Sequence, residues 1–349
     1  MPNFLPSPDD PSLLTSLILF GLASAVILLI GLRLSKYADI LADRTGMGEA
    51  IAGAVLLGAA TSASGIVTSV SAAATGDINL AYSNSLGGIA AQTAFLAIAD
   101  ICYRRANLEH AAAEIVNVTQ AALLCLLLTV PLIAYALPQV TFAGVHPASP
   151  ILVALYIFGL RIAHQDRKAP MWVPKNTPET RTDEPEDESD KGPSTLTLFL
   201  AFGGMVILIS LAGLVVARSG IAIAAATGIK QSVIGAVLTA VATSLPELVT
   251  TIAAVRRRAL QLAVGGIIGG NMFDVLFLAA SDVAYRDGSI YGGIEAGARF
   301  WALVGVAMTL VLLLGLIRRE KAGPGRIGFE SVSVLAIYGL ALIAVSTVM

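Results

Sequence analysis

Hydrophobic residues of this chain fall into ten blocks, most of them about twenty residues or longer, separated by short stretches that contain charged residues, proline or glycine. A helix that crosses about 30 Å of hydrocarbon needs about 20 residues at 1.5 Å per residue. The pattern therefore predicts ten transmembrane helices. They cover residues 13–35, 47–74, 79–103, 112–137, 149–164, 195–217, 229–255, 260–285, 299–317 and 330–348.

The composition agrees with this pattern, because 56% of the residues are hydrophobic and only 13% are charged. Soluble domains are about a quarter charged, so an ordinary soluble fold is excluded. Basic residues sit at the ends of the apolar blocks and form no single patch, so no nucleic-acid partner is expected.

Residues 165–194 separate two sets of five predicted helices. This segment is rich in proline and acidic residues, and we expect an acidic disordered linker between a first half, 1–164, and a second half, 195–349. With the N-terminus on one side of the bilayer, 18 of the 22 Lys and Arg residues fall on the other side, with the linker. The positive-inside rule makes that side cytoplasmic, which predicts a multi-pass protein of the cell membrane with both termini outside.

The two halves contain an internal repeat. Residues 45–104 align without a gap to residues 227–286, at an offset of 182, with 22 identities in 60 positions. The matches include polar positions such as Asp100 and Asp282. Because each half has an odd number of helices, the second half enters the membrane upside down. The predicted fold class is an all-α membrane protein of ten transmembrane helices in two inverted five-helix repeats, with a site where the repeats meet.

Two polar motifs interrupt apolar helices of the second repeat, at residues 242–247 and 269–274. They place Glu247 and Asp274 deep within predicted spans. A charged side chain at membrane depth costs roughly 2.5–3.5 kcal/mol even on lenient scales, so such a residue needs a proton, a cation or water as its partner. A functional role is the default interpretation for both carboxylates.

Pro246 has no N–H to donate to the carbonyl of Ala242, and its ring opens the helix at that point. The freed carbonyl, together with carboxylates, hydroxyls and amides, makes a set of hard oxygen donors. Such donors suit calcium or sodium ions, in contrast to the nitrogen and sulfur donors of zinc and copper sites.

The motifs at residues 243–247 and 269–274 resemble those of the calcium/cation antiporter superfamily, which includes the sodium/calcium exchangers. The second motif is close to the family's usual Gly-Ser-Asn-Ile-Phe-Asp. The resemblance implies a ten-helix fold, alternating access, and ion ligands from both repeats, with Glu247 as the central carboxylate. The predicted metal-site residues are Glu247, Asp274, Thr243, Ser244, Thr61, Ser62, Asn271, Gln92 and Asn84.

The first repeat departs from the family pattern. Gly65 stands where the family has a second glutamate, Ile89 replaces a family asparagine, and Gln92 lies opposite Asp274. Only two carboxylates then remain, whereas calcium prefers six to eight oxygens and strong negative charge. We therefore expect Gly65→Glu to strengthen calcium binding.

The leading hypothesis is a secondary active antiporter that exchanges Ca²⁺ for Na⁺ or H⁺, with no cofactor other than the transported ions. Its expected partners are small inorganic cations and the lipid bilayer. A monovalent cation/proton antiporter is the alternative that Gly65 favours, and a non-transporting membrane sensor or scaffold is a second. Catalysis is not expected, because Ser244 beside Glu247 lacks a histidine or lysine base in the sequence motif.

Two further acidic residues lie near helix ends, each four residues before an arginine. Asp100 precedes Arg104 and Asp282 precedes Arg286. This spacing predicts two interfacial ion pairs.

Overall fold

A computed structural model describes residues 12–45, 58–103, 106–178, 180, 194–323 and 327–347. Within these ranges the chain is helical apart from short connections. The helices of the first half are α1 (Leu13–Thr45), α2 (Gly58–Thr61), α3 (Ala63–Ala74), α4 (Ile78–Cys102), α5 (Leu108–Ala111), α6 (Ile115–Ala136) and α7 (Ala148–Lys168). Those of the second half are α8 (Thr195–Thr227), α9 (Gln231–Thr243), α10 (Leu245–Arg257), α11 (Leu260–Asp274), α12 (Leu276–Ala284), α13 (Ala296–Arg318) and α14 (Phe329–Thr347).

The prediction of an all-α membrane protein is confirmed. In the described part of the chain, eight helical segments are long and apolar enough to cross a membrane, and α9 with α10 forms a ninth that bends by 42°. The span predicted at residues 47–74 lies partly outside the described residues, which contain only α2 and α3 from it. A count of ten therefore remains a prediction.

Two helices are longer than their hydrophobic blocks predict. Both α1 and α8 have 33 residues, about ten more than the blocks at 13–35 and 195–217. In α1 the additional turns carry polar residues up to Arg44, and in α8 they continue beyond Arg218 through an alanine-rich stretch. The length of a hydrophobic block corresponds to the part of the helix that lies in the hydrocarbon of the bilayer. The helix itself can continue beyond the hydrocarbon, because its backbone hydrogen bonds do not depend on apolar side chains.

The first residues of the segment predicted as a linker, 165–194, contact the helical bundle, and the linker itself remains a prediction. Helix α7 continues to Lys168, and Thr119 Oγ1 donates a hydrogen bond to Asp166 Oδ2 at 2.6 Å. Farther along, Arg319 Nη1 donates to the carbonyl of Lys175 at 2.7 Å. These contacts to the helical bundle hold the segment, which composition alone does not reveal. The acidic stretch at residues 181–193 lies outside the described residues.

The most buried spans are α4 and the span made of α11 and α12. In each of them, 83% of the apolar window is buried within the protein, against 17% for α1 and 22% for α8. The central pair therefore forms the core of the bundle. The long helices α1 and α8 pack against each other at its periphery and expose apolar side chains suited to lipid.

Helices α1 and α8 cross the helix breaks of the opposite half at glycines. A methyl group at Gly31 of α1 would lie 2.7 Å from Cβ of Pro246, which shows that the backbones are in direct contact there. Gly213 of α8 contacts the backbone of Ser64 just as closely. The two contacts are related by the same offset of 182 as the sequence repeat. Small residues allow this close approach of membrane helices.

Asp282 makes three hydrogen bonds, and none of them is the predicted ion pair with Arg286. Its carboxylate accepts from the backbone N–H groups of His146 and Ile290 at 2.7 and 3.1 Å, and from Ser149 Oγ at 2.7 Å. The ion-pair prediction is wrong here, because buried backbone N–H groups compete for the carboxylate more effectively than an exposed guanidinium does.

Asp100 repeats this arrangement at the other end of the bundle. It accepts from the N–H groups of Leu108 and Gly328 at 2.7 and 3.4 Å, and from Ser331 Oγ at 2.8 Å. Its predicted partner Arg104 lies outside the described residues. Each partner of Asp100 is offset by 182 from the equivalent partner of Asp282. Each aspartate thus ties the start of the last helix of the opposite half, so the structural repeat extends well beyond the segment that sequence identity reveals.

Candidate functional site

The breaks in the helices meet at the centre of the bundle. Ser62 separates α2 from α3, and Ser244 separates α9 from α10. The core helices α4 and α11 pass beside these breaks and contribute polar side chains. All nine predicted site residues are buried, with no side chain more than 4% exposed. The fold therefore gathers them in the interior between the two halves.

Pro246 begins a new helix. It occupies the first turn of α10, where its missing N–H is no loss and its fixed φ suits the helix start. Before the break, residues Ile234–Thr239 of α9 form a π-helical turn. Glu247 follows directly in the first turn of α10, so the break aims its carboxylate at the centre of the bundle.

Glu247 receives its contacts from the opposite repeat. Ser62 Oγ donates to Glu247 Oε1 at 3.4 Å, and the side chain of Thr61 also forms a hydrogen bond with this carboxylate. The second oxygen, Oε2, has no hydrogen-bond partner among the described residues.

Asp274 lies at the end of α11, next to the break before α12. Gln92 Nε2 donates to Asp274 Oδ2 at 2.6 Å and to Ser244 Oγ at 3.2 Å. Gln92 and Asp274 are equivalent residues of the two repeats, and their direct contact places them on the axis that relates the halves.

Four buried oxygen atoms around this point have no hydrogen-bond partner within the described structure. They are Glu247 Oε2, Asp274 Oδ1, Gln92 Oε1 and Asn271 Oδ1. The amide nitrogen of Asn271 donates to Thr93 Oγ1 at 3.0 Å, which orients the oxygen of the same amide. A buried acceptor without a partner costs about 1–3 kcal/mol, and more when it is charged. The cluster is thus a set of hard oxygen donors suited to a cation.

Thr243 and Asn84 belong to an adjoining network. Thr243 Oγ1 donates to the carbonyl of Thr239 at 2.9 Å, and Thr239 Oγ1 donates to Asn84 Oδ1 at 2.8 Å. The amide nitrogen of Asn84 donates to the carbonyl of Gly65 at 3.2 Å and to Ser69 Oγ at 2.9 Å. These two predicted residues therefore hydrogen-bond to the helices around the break, whereas Ser62 and Gln92 contact the carboxylates.

Phe277 lies beside the candidate site, and the sequence analysis did not identify it. A Cβ atom at Gly65 would lie only 2.7 Å from Cε2 of the Phe277 ring. This ring is 2% exposed and packs edge-on against Phe273, with ring centres 6.1 Å apart. An aromatic side chain thus fills the space that a glutamate at position 65 would need. Phe277 matches Phe95 in the internal repeat, but both lie in apolar sequence, where a phenylalanine resembles an ordinary core residue.

The site carries at most two negative charges, those of Glu247 and Asp274, together with neutral oxygens of hydroxyls and amides. Such a set can bind and release one cation or more, or take up protons in their place.

Comparison with known proteins agrees with this geometry. The sequence model of the family described as "Sodium/calcium exchanger protein" matches residues 15–163 and 197–347, one match in each half. The sodium/calcium exchanger MaX1 of Methanosarcina acetivorans is 36% identical over 87 residues, which are 25% of this chain and 24% of that protein. The putative antiporter CaxA of Alkalimonas amylolytica is 29% identical over 119 residues, 33% of this chain and 37% of that protein.

These alignments span about a quarter to a third of the relatives, whereas a solved structure matches throughout. The sodium-calcium exchanger NCX_Mj, in crystals soaked with Na⁺ and Sr²⁺, superposes with a TM-score of 0.64 at 19% identity, covering 97% of this chain and 100% of that one. At this identity the likeness establishes the fold. Because one family model matches both halves, the chain is a multi-pass membrane protein that belongs to the sodium/calcium exchanger family.

Proposed function

We propose that this protein is a secondary active antiporter that exchanges Ca²⁺ for Na⁺ or H⁺ by alternating access. The observation that carries the proposal is the pair of buried carboxylates, Glu247 and Asp274, at the meeting point of the repeats. One oxygen of each carboxylate and the amide oxygens of Gln92 and Asn271 have no hydrogen-bond partner within the described structure. Membership of the exchanger family supports the same activity. Exchange needs only reversible ion binding, so we propose no catalytic residue and no cofactor.

The inverted repeats suggest how access alternates. Helices α1 and α8 lie close against the helix breaks at Gly31 and Gly213, where a side chain larger than hydrogen would not fit. We expect the two helices to slide as a pair over the central site, which would expose Glu247 first to one side and then to the other. The excess of basic residues around the linker supports a cytoplasmic linker and external termini in the cell membrane.

A monovalent cation/proton antiporter is the second candidate, and the contact between Phe277 and Gly65 favours it. The ring occupies the space in which a glutamate at position 65 would add a charge and two oxygens opposite Glu247. A site with fewer charges and oxygens holds a divalent ion less tightly, whereas a sodium ion or a proton needs less of both.

Flux measurements on purified protein in liposomes test both candidates. Calcium uptake driven by an outward sodium or proton gradient would support the first candidate. Sodium or proton exchange without calcium flux would establish the second.

Glu247→Gln keeps the size of the side chain and removes its charge. We expect the ion flux of this variant to be lower by a factor of roughly 100 or more, which corresponds to about 2.7 kcal/mol, and its melting temperature to be unchanged. Asp287→Asn, at an exposed loop position, is the matched control and should transport like the unmodified protein. Normal flux in Glu247→Gln would refute the proposed site, and absence of any ion flux in the unmodified protein would point to a non-transporting scaffold.

A further inference from the structure

The corner between α6 and α7 contains an apolar pocket, away from the central site. The pocket has a volume of about 380 Å³ and is lined by the end of α6, the start of α7 and the loop between them. Because both helices are membrane spans, their shared corner lies at the boundary between hydrocarbon and headgroups. The rim is formed by apolar side chains that are between 49% and 56% exposed: Ile133, Leu137, Val140 and Ile151. A pocket of this size and lining suits a hydrocarbon chain.

Among the described residues that line this pocket, His146 has the one polar side chain. It is 5% exposed, and its ring packs against Tyr291 with ring centres 5.1 Å apart. Its Nδ1 accepts a hydrogen bond from the backbone N–H of Ala148 at 3.1 Å, so the ring carries its proton on Nε2. Nε2 has no hydrogen-bond partner within the described structure. The pocket therefore suits a ligand that combines a hydrocarbon chain with an oxygen acceptor.

A guanidinium group lies beside the loop that closes the pocket. A Cβ atom at Gly144 of this loop would lie 3.9 Å from Nη1 of Arg286. Arg286 is exposed and forms no hydrogen bond or ion pair with the described residues. The carboxylate of Asp282 is bound to other donors, and the adjacent Asp287 forms no ion pair with Arg286 either. An arginine at the membrane boundary can therefore bind the oxygens of a phosphate, which match its planar fork of N–H groups.

We propose that the pocket, His146 and Arg286 together bind one phospholipid of the bilayer whose headgroup has a net negative charge. One acyl chain fills the pocket, the carbonyl oxygen of its ester accepts from His146 Nε2, and the phosphate binds Arg286. Chain, ester and phosphate follow one another in a phospholipid from hydrocarbon to water. The apolar pocket, the histidine and the exposed arginine offer partners for each of them. A negative headgroup is favoured because a choline headgroup would add a second positive charge near the unpaired guanidinium.

The pocket is tested by filling it. Purified protein in a neutral detergent is titrated with phosphatidylglycerol, and its melting temperature is measured, because lipid that prefers the folded protein raises it. Ile151→Trp adds an indole ring at the half-exposed rim, and we expect it to raise the phosphatidylglycerol concentration for half-maximal stabilisation at least tenfold. Ile157→Trp is the matched control, since Ile157 is 46% exposed on the same helix and does not line the pocket. Its midpoint should stay within twofold of that of the unmodified protein.

The headgroup contact is tested at Arg286. Arg286→Gln removes the charge at an exposed position, so we expect normal folding and a midpoint for phosphatidylglycerol at least fivefold higher. The unmodified protein should prefer phosphatidylglycerol to phosphatidylcholine, and the variant should lose this preference. Lys230→Gln, which removes an exposed basic residue away from the pocket, is the control and should shift the midpoint less than twofold.

Three outcomes would overturn the proposal. An unchanged midpoint in Ile151→Trp would show that no acyl chain enters the pocket. An unchanged preference for phosphatidylglycerol in Arg286→Gln would show that the guanidinium does not bind the headgroup. Glycerol phosphate, which has no acyl chain, separates a lipid from a free phosphate, and stabilisation by it at the same concentrations as phosphatidylglycerol would refute a lipid site.

Discussion

Gly65 and Glu247 occupy equivalent positions in the two repeats, and the difference between them limits the charge and the number of oxygen atoms at the candidate site. The sequence alone suggests that the first repeat has simply lost a charged side chain, because a glycine stands where the family has a glutamate. The structure also shows that the ring of Phe277 occupies the space that a side chain at position 65 would need. A glutamate at position 65 therefore needs a smaller side chain at position 277 as well.

We predict that Gly65→Glu alone lowers the melting temperature, because overpacking against Phe277 costs about 1–3 kcal/mol. Combined with Phe277→Leu, the glutamate should fit and raise calcium affinity at least tenfold, which requires an added interaction of only about 1.4 kcal/mol. Calcium titrations by calorimetry measure this, with Phe277→Leu alone as the control. Equal calcium affinity in the double variant and the control would contradict the proposed arrangement.

At the level of helices, the close crossing of α8 over the first turn of α3, at Ser64, depends on a glycine. Two glycines of α8 offer a matched comparison, since Gly213 contacts the backbone of Ser64 while Gly204 has open space around it.

We predict that Gly213→Ala destabilises the protein by about 1–3 kcal/mol and reduces flux, because its methyl group separates α8 from α3. Gly204→Ala should leave stability unchanged or raise it by up to about 1 kcal/mol, through the better helix propensity of alanine. Thermal melting and flux of the two variants give the comparison. Similar behaviour of both would show that the close crossing is not required.

The short helix α5 carries a buried acid in the connection between two spans. Burial raises the pKa of Glu109 well above its ordinary value, and the nearby carboxylates of Asp100 and Glu330 raise this pKa further. The folded protein therefore holds the Glu109 proton more tightly than the unfolded chain does. The resulting stabilisation is complete below the ordinary carboxyl range and is lost as the pH rises through the folded-state pKa.

We predict that the melting temperature of the unmodified protein falls as the pH rises, and that Glu109→Gln, which mimics the protonated acid, reduces this fall. Melting curves at a series of pH values test the prediction. An identical pH dependence in the variant would show that Glu109 does not contribute to it.

On the scale of the whole molecule, Asp100 and Asp282 hold the two halves together at opposite ends of the bundle. Each binds the start of the last helix of the other half through an N–H group and a serine hydroxyl. Because these are exchanged contacts, neither half completes its own set of hydrogen bonds alone.

We predict that Asp282→Asn lowers the free energy of unfolding by about 2–4 kcal/mol, since an amide cannot accept from three donors as a carboxylate does. The exposed Asp287→Asn should have no effect. Chemical or thermal denaturation in detergent measures the difference. An Asp282→Asn variant as stable as the control would contradict this role.

Much of the candidate site could be predicted from the sequence, because Glu247 and Asp274 stand out as charged residues within apolar helices. The motif resemblance added Ser62 and Gln92, which contact those carboxylates in the structure. Other features could not be predicted. The ring of Phe277 reaches Gly65 from 212 positions along the sequence, and the partners of Asp282 come from the opposite half.

The amino-acid sequence by itself determined that this chain is a helical membrane protein with a repeated plan and two central carboxylates. Hydrophobic block length reflects the thickness of the bilayer, and a charge within such a block is conspicuous because burial makes it costly. Only the tertiary structure decided that the ring of Phe277 lies against Gly65 beside those carboxylates, and that Asp100 and Asp282 exchange contacts between the halves. These depend on which distant residues come within a few ångströms of one another, and that is set by the packing of helices and not by any local pattern.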